Sequence, residues 1–189
     1  MSEPKQRAYG GRSQEARVAE RRERLMHAAA RLYARVGAEG ASVTAICAEA
    51  GLTARYFYES FPSRDALFLA VFREVTERLV AMMGEAGVTV DARLTGMFRA
   101  LADHPELARV FLIDLNLHDP AVHEVGRAAG SAIAALLAPP GATPLAAAGV
   151  VGAVMRIARR WIEGGYGEPL EEAVAVARIF VEAALAAPR

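Results

Sequence analysis

Arg55, Tyr56 and Tyr58 fall within little more than one turn of a short segment that the sequence predicts to be helical. All three are long side chains with hydrogen-bonding tips. Their chemistry is recognition. An arginine offers a planar fork to the N7 and O6 acceptors of guanine in a major groove. Phenolic hydroxyls suit phosphate oxygens, which set position without reading sequence. Thr44, Thr53 and Arg64 lie at or near predicted helix starts, where free backbone N–H groups also favour phosphate. Ala54, which opens the reading helix, and Arg24, from an upstream run of Arg17, Arg21, Arg22 and Arg24, complete the expected contact set. The bland alternatives are a solvated Arg55, half-buried tyrosines, and an upstream arginine run that shares a solvated face with Glu20 and Glu23.

The elements that position these groups are legible from residue 42 onward. Ser42 is placed to cap a helix running to Ala50, and Gly51 stands where a left-handed stop belongs. Thr53 is placed to cap a second short helix to about Ser60. Ile46, Ala50, Leu52, Phe57 and Phe61 can meet between the two, and small Ala48 and Ala50 permit a close crossing. Two short helices around a tight turn make a helix-turn-helix, whose second helix fits the roughly 12 Å wide major groove. Upstream, Leu25, Ala28, Ala29, Leu32 and Val36 recur at helical spacing until Gly37 and Gly40. Downstream, Ser63 starts a long helix with Phe68, Val71, Phe72, Val75, Leu79 and Met82 on one side.

Residues 20–72 resemble the DNA-binding region of the tetracycline-repressor (TetR) family of regulators. The resemblance rests on the long first helix, Thr44, Ile46, Ala50-Gly51, Tyr58, Phe61, Pro62-Ser63-Arg64 and Leu67. It implies a homodimer on a palindromic operator, released by a small molecule in the C-terminal domain. Two departures stand out. The family often has alanine where this chain has Cys47, and Gly-Thr where it has Arg55-Tyr56. Cysteine packs as a small hydrophobe, so the first is mild. The second changes the reading surface and is expected to alter the operator rather than abolish binding.

Charge is distributed in keeping with one nucleic-acid-facing part. Residues 1–73 carry twelve Lys and Arg against eight Asp and Glu, while residues 74–189 carry ten against fourteen. The totals cancel, so only the asymmetry points to a polyanion. The lone Cys47 allows neither an internal disulfide nor a cysteine zinc cluster, which fits a reducing cytoplasm. The N-terminal residues lack the apolar run of a secretory signal. Residues 128–155 carry no charge, but Pro139, Pro140, Gly141 and Pro144 divide them into runs shorter than the roughly 20 residues that span a bilayer. Two buried helices and a turn are expected there, and no membrane partner.

The rest of the chain reads as helices over 91–103, 105–117, 120–138, 144–163 and 168–186, several opened by Pro105, Pro120, Pro144 and Pro169. The expected fold is all-α with about nine helices. A disordered basic tail over 1–15 precedes a three-helix DNA-binding domain over 16–62. A helical ligand-binding and dimerisation domain over 63–189 follows, with residues 63–84 as the linking helix. Met83, Met97, Phe98, Leu101, Phe111, Asp114, Leu115 and Arg127 are the candidates for contacting a small, partly apolar effector, because Met and Phe suit adaptable pockets. The bland alternative is that the apolar ones are core. Gly149, Gly152, Ala153, Ile157 and Trp161, with Val174, Ala177, Phe180 and Val181, read as a dimer interface in which two helices per subunit make a four-helix bundle.

Other chemistry finds little support. His104, His118 and His123, with Asp114, do not share one helical face, so no metal is expected. There is no Gly-rich loop ending in Lys-Ser or Lys-Thr, no Gly-x-Ser-x-Gly and no His-Glu-x-x-His. Neither enzyme activity nor a cofactor is expected. The expected partners are double-stranded DNA, a small-molecule effector and a second copy of the chain. The competing function is a helical ligand-binding or scaffold protein without DNA binding.

Overall fold

A computed structural model describes residues 14–113, 120–138 and 140–185. Among these the secondary structure is helical, with nine α-helices and one π-helical turn. Most of the sequence expected to form a tail lies outside the described residues. α1 (Gln14–Gly40) takes in its last two residues, and Glu15 in the first turn suits the positive end of the helix dipole. The regular part of α1 stops at Gly37, where φ 75° and ψ 165° are open to glycine and strained for other residues.

α2 (Val43–Ala50) begins at Ser42, whose hydroxyl accepts from the Ala45 N–H at 3.2 Å. It ends at Gly51 in the left-handed region, with φ 63° and ψ 39°. The Gly51 and Leu52 N–H groups donate to the Ala48 and Cys47 carbonyls, closing the last turn. α3 (Ala54–Ser60) follows after three residues. Thr53 occupies its N-cap position, yet the Thr53 hydroxyl makes no cap hydrogen bond, which corrects the expectation from sequence. α4 (Arg64–Glu85) is capped by the Ser63 hydroxyl, which accepts from the Ala66 N–H at 3.1 Å.

α5 (Val90–Asp103) and α6 (Pro105–Ala108) come next. The helix expected over 105–117 stays α-helical only as far as Ala108, and Arg109–Ile113 form a π turn. Arg109 is anchored there by a 2.7 Å hydrogen bond to the Ala34 carbonyl of α1. α7 (Pro120–Leu137), α8 (Pro144–Glu163) and α9 (Leu170–Leu185) complete the described helices.

One apolar core runs through both ends of this array. α1 packs on α2, α3, α4 and α6, α4 also packs on α5 and α7, and α8 pairs with α9, which in turn lies against α5. α4 therefore bridges the N-terminal helices and the remainder. Phe68 and Phe72 of α4 sit in this bridge, Phe68 edge-on to Tyr33 of α1 and Phe72 stacked near Phe111. No described helix is long and apolar enough to cross a membrane.

Candidate nucleic-acid interface

The face presented by α2 and α3 is polar because their apolar side chains meet behind it. Ile46, Cys47 and Ala50 of α2, Phe57 of α3 and Phe61 are buried, and Phe57 and Phe61 are entirely or almost entirely shielded from solvent. Once Phe57 is fixed inward, helical spacing turns its neighbours outward. Arg55 is exposed, Tyr58 retains 61% of its accessible surface and Tyr56 retains 37%. Thr44, Thr53, Ala54 and Arg64 are exposed as well. All seven therefore lie on the molecular surface, as recognition requires.

Ion pairs and ring contacts order this surface. Arg55 Nε donates to Glu59 Oε1 at 2.9 Å, one helical turn away. Glu59 holds the Arg55 guanidinium even more firmly protonated than usual. The other oxygen of Glu59 lies 3.9 Å from Arg21 of α1. The Arg21 guanidinium covers the Tyr56 ring at 4.6 Å from its centre. The Ser60 hydroxyl donates back to the Tyr56 carbonyl at 2.9 Å.

The arginines of α1 have a role that the sequence did not disclose. Arg24 Nη2 donates to the Ala50 carbonyl at 2.7 Å and reaches the Gly51 carbonyl at 3.4 Å. It thereby caps the C-terminus of α2, where a cation also suits the helix dipole. Arg22 does the same for α3, donating to the Ser60 carbonyl at 2.9 Å while lying over the Phe61 ring at 4.1 Å. Arg64 donates to the Glu39 carbonyl at 3.2 Å. Expected among the nucleic-acid contacts, Arg24 and Arg64 are thus tied to backbone carbonyls of their own chain.

Behind the interface, Glu49 of α2 accepts from both Arg31 and Arg35 of α1 at 2.9 Å. Arg35, and then Arg31, hold its carboxyl below the usual carboxylate range. Burial raises the Cys47 thiol above its ordinary pKa, which disfavours a reactive thiolate.

The candidate effector contacts separate into three groups. Met83, Met97, Phe98 and Leu101 are almost wholly buried, and Phe111 is nearly so. Arg127 points away from them, exposed on α7 and paired with Glu124, whose Oε2 accepts from its Nε at 3.0 Å. The charge of Arg127 is therefore directed to solvent rather than to the apolar core. Asp114 and Leu115 lie outside the described residues. A separate surface groove of about 520 Å³ runs between α4 and α7, lined by Thr76, Val80, Val125 and Ala129 with Arg73 and Glu124 at its polar edge.

The candidate dimer face also divides. Trp161, Ala177 and Val181 are buried within the protomer, and Trp161 Nε1 donates to the Glu168 carbonyl at 2.8 Å. Those three side chains pack into the core that α8 and α9 share with α5, with Trp161 edge-on to Phe98. Gly149 and Gly152 are exposed, and an added methyl group at either would meet nothing among the described residues. Ala153, Ile157 and Val174 are half-buried, and Phe180 is exposed. Val176 and Ile179, which sequence reasoning missed, join Phe180 as exposed apolar residues of α9. They flank the stripe drawn from the sequence, and only the packing reveals which side faces out. Among the described residues no group of three or more His, Cys, Asp or Glu side chains is arranged to hold a metal.

Residues 25–71 match the family profile for bacterial regulatory proteins of the tetR family. That match spans α2, the turn, α3 and the adjoining parts of α1 and α4. Over those residues the chain carries the tetR-family signature. The fold of the described residues agrees with that match. It resembles a TetR-like transcriptional regulator from Rhodococcus sp. RHA1, at 22% identity and a TM-score of 0.71, over 90% of this chain and 98% of that one. It also resembles the fatty acid degradation regulator FadR from Bacillus halodurans, at 18% identity and TM-score 0.70, over 85% and 94% of the two chains. FadR from Bacillus subtilis, solved in complex with stearoyl-CoA, aligns at 17% identity and TM-score 0.68, over 88% and 99%. The TM-scores establish the TetR fold. No curated protein sequence matches the chain.

Proposed function

We propose that this chain is a sequence-specific DNA-binding transcriptional regulator, a homodimeric repressor that a small, partly apolar effector releases from a palindromic operator. The observation that carries the proposal is the exposed face of α3, where Arg55, Tyr56 and Tyr58 project from a helix anchored by buried Phe57. Arg55 supplies the fork for a guanine edge. Tyr58 and Tyr56 supply hydroxyls for phosphate, joined by Thr44 and Thr53. Arg24 and Arg64 support the surface by fixing its backbone. The place of action is the cytoplasm, and there is no catalytic role.

One such helix reads few base pairs. Two copies held about one duplex turn apart read a palindrome. The exposed apolar residues Val176, Ile179 and Phe180, with the open glycines of α8, support a two-fold bundle of α8 and α9 from each subunit. The effector acts from the domain beyond α4. Its chemistry is at least partly apolar, in keeping with the Met and Phe residues there and with the stearoyl-CoA complex of the Bacillus subtilis neighbour. Because α4 spans both parts, a change in its tilt alters the separation of the reading helices.

The test is binding to fragments of genomic DNA at two salt concentrations. A regulator that neutralises phosphates selects particular fragments and weakens steeply as salt rises. A protein that retains no fragment at the lower concentration is instead a helical ligand-binding or scaffold protein.

A further inference from the structure

Arg55 does not stand alone on the reading helix. Its Nε is occupied by Glu59 Oε1 at 2.9 Å, and the second oxygen of Glu59 lies 3.9 Å from Arg21 on α1. One carboxylate thus sits between the reading arginine and a cation of the neighbouring helix. Arg21 is itself restrained by lying over the Tyr56 ring. We propose that Glu59 is a specificity-determining positioning residue, which holds Arg55 so that its two terminal nitrogens face a guanine edge. The proposal rests on the DNA-binding reading given above.

The chemistry follows from the shape of the guanidinium, which has five N–H donors in a fixed fork. A carboxylate on Nε leaves the two terminal nitrogens free. Their spacing matches the N7 and O6 acceptors of guanine. An arginine without this support has several rotatable bonds, and in a groove it turns as readily toward a phosphate as toward a base. Preorganisation therefore adds discrimination by cutting the cost of ordering the side chain. The negative charge has a second consequence. It opposes phosphate wherever the guanine contact is absent, so Glu59 lowers affinity for non-cognate duplexes while sharpening the cognate one. A residue that only stabilised the fold would move both affinities in the same direction.

The experiment is a selection from synthetic duplexes with a randomised core. The selected duplex and its single-base variants are then titrated with the full-length chain, Glu59→Gln, Glu59→Asp and Arg55→Ala. Glu59→Asp keeps the charge but retracts the oxygens from Arg55. In both Glu59 variants, preference for one guanine in each half-site is expected to fall roughly tenfold. Glu59→Gln should also bind unselected duplex about threefold more tightly, because a negative charge is gone. In the Arg55→Ala background, adding Glu59→Gln should leave the remaining base preferences unchanged. Thermal unfolding of each variant confirms that the fold is kept.

Wild-type protein that selects no sequence overturns the DNA-binding reading itself. Wild-type selection with an unaltered guanine preference in folded Glu59→Gln and Glu59→Asp overturns only the role of Glu59. A loss of preference that persists without Arg55 also overturns it, since Glu59 would then act by another route.

Discussion

Replacing Arg24 with alanine separates its structural role from a phosphate contact. The side chain makes a 2.7 Å charge-assisted hydrogen bond to the Ala50 carbonyl and a longer one to the Gly51 carbonyl. A hydrogen bond to a charged group contributes about 1.5–3 kcal/mol when well shielded. Arg24 is exposed as a residue and only its bonded end is sheltered, so the lower part of that range or less applies. The cation at the α2 C-terminus is included in the same contact and adds no separate large contribution. A loss of about 1–1.5 kcal/mol is expected. For a chain of this length that lowers Tm by roughly 2–6 °C. Denaturant titration should move the midpoint and leave the m-value unchanged. The salt dependence of DNA binding should keep its wild-type slope, because no phosphate contact is removed. An unchanged Tm together with a slope reduced by about one would refute the reasoning and return Arg24 to the phosphate backbone.

Three further outcomes follow from the same geometry. Tyr33 is 99% buried, its hydroxyl has no hydrogen-bond partner among the described residues, and burial drives its pKa well above the ordinary tyrosine range. Tyr33→Phe should therefore stabilise the protein by about 1 kcal/mol, read as a rise in denaturation midpoint, and a fall would show that the hydroxyl is satisfied. Gly51→Ala places a side chain at φ +63° and sets its Cβ 3.2 Å from Arg24 Nη2, so a destabilisation of about 1–2 kcal/mol is expected in chemical denaturation. The Glu49 carboxyl, held low by Arg35 and Arg31, should titrate in NMR below the unfolded value of about 4.3. The stability it contributes is present above that unfolded value and is lost as pH falls through the lower folded one, so titration at or above 4.3 contradicts the pairing.

The helix-turn-helix was readable because its signals are local. Ser42 caps within three residues, Gly51 takes the left-handed turn alone, and Phe57 sets which side of α3 faces inward. The positions of Arg55, Tyr56 and Tyr58 then follow from helical geometry. Roles set by residues distant in the chain were not readable. Arg24 reads as one charge in a basic run until the Ala50 carbonyl, 26 residues later, is seen beside it. Arg22 likewise meets Ser60 across 38 residues. The apolar stripe of α9 was visible, but α8 and α5 cover part of it, which is why Ala177 and Val181 are buried while Ile179 and Phe180 face out. The π turn at Arg109–Ile113 has no local breaker in the sequence. Thr53 shows the converse: a good capping residue at a helix start whose hydroxyl makes no cap hydrogen bond.

The central claim is that the exposed side of α3 reads DNA. Its most direct test is the affinity of wild type, Tyr58→Phe and Arg55→Ala across one set of duplexes that differ by single base pairs. Tyr58→Phe is predicted to weaken every duplex by a similar factor, and Arg55→Ala to flatten the preference at one position in each half-site. Identical affinities for all three proteins across the set would contradict the claim.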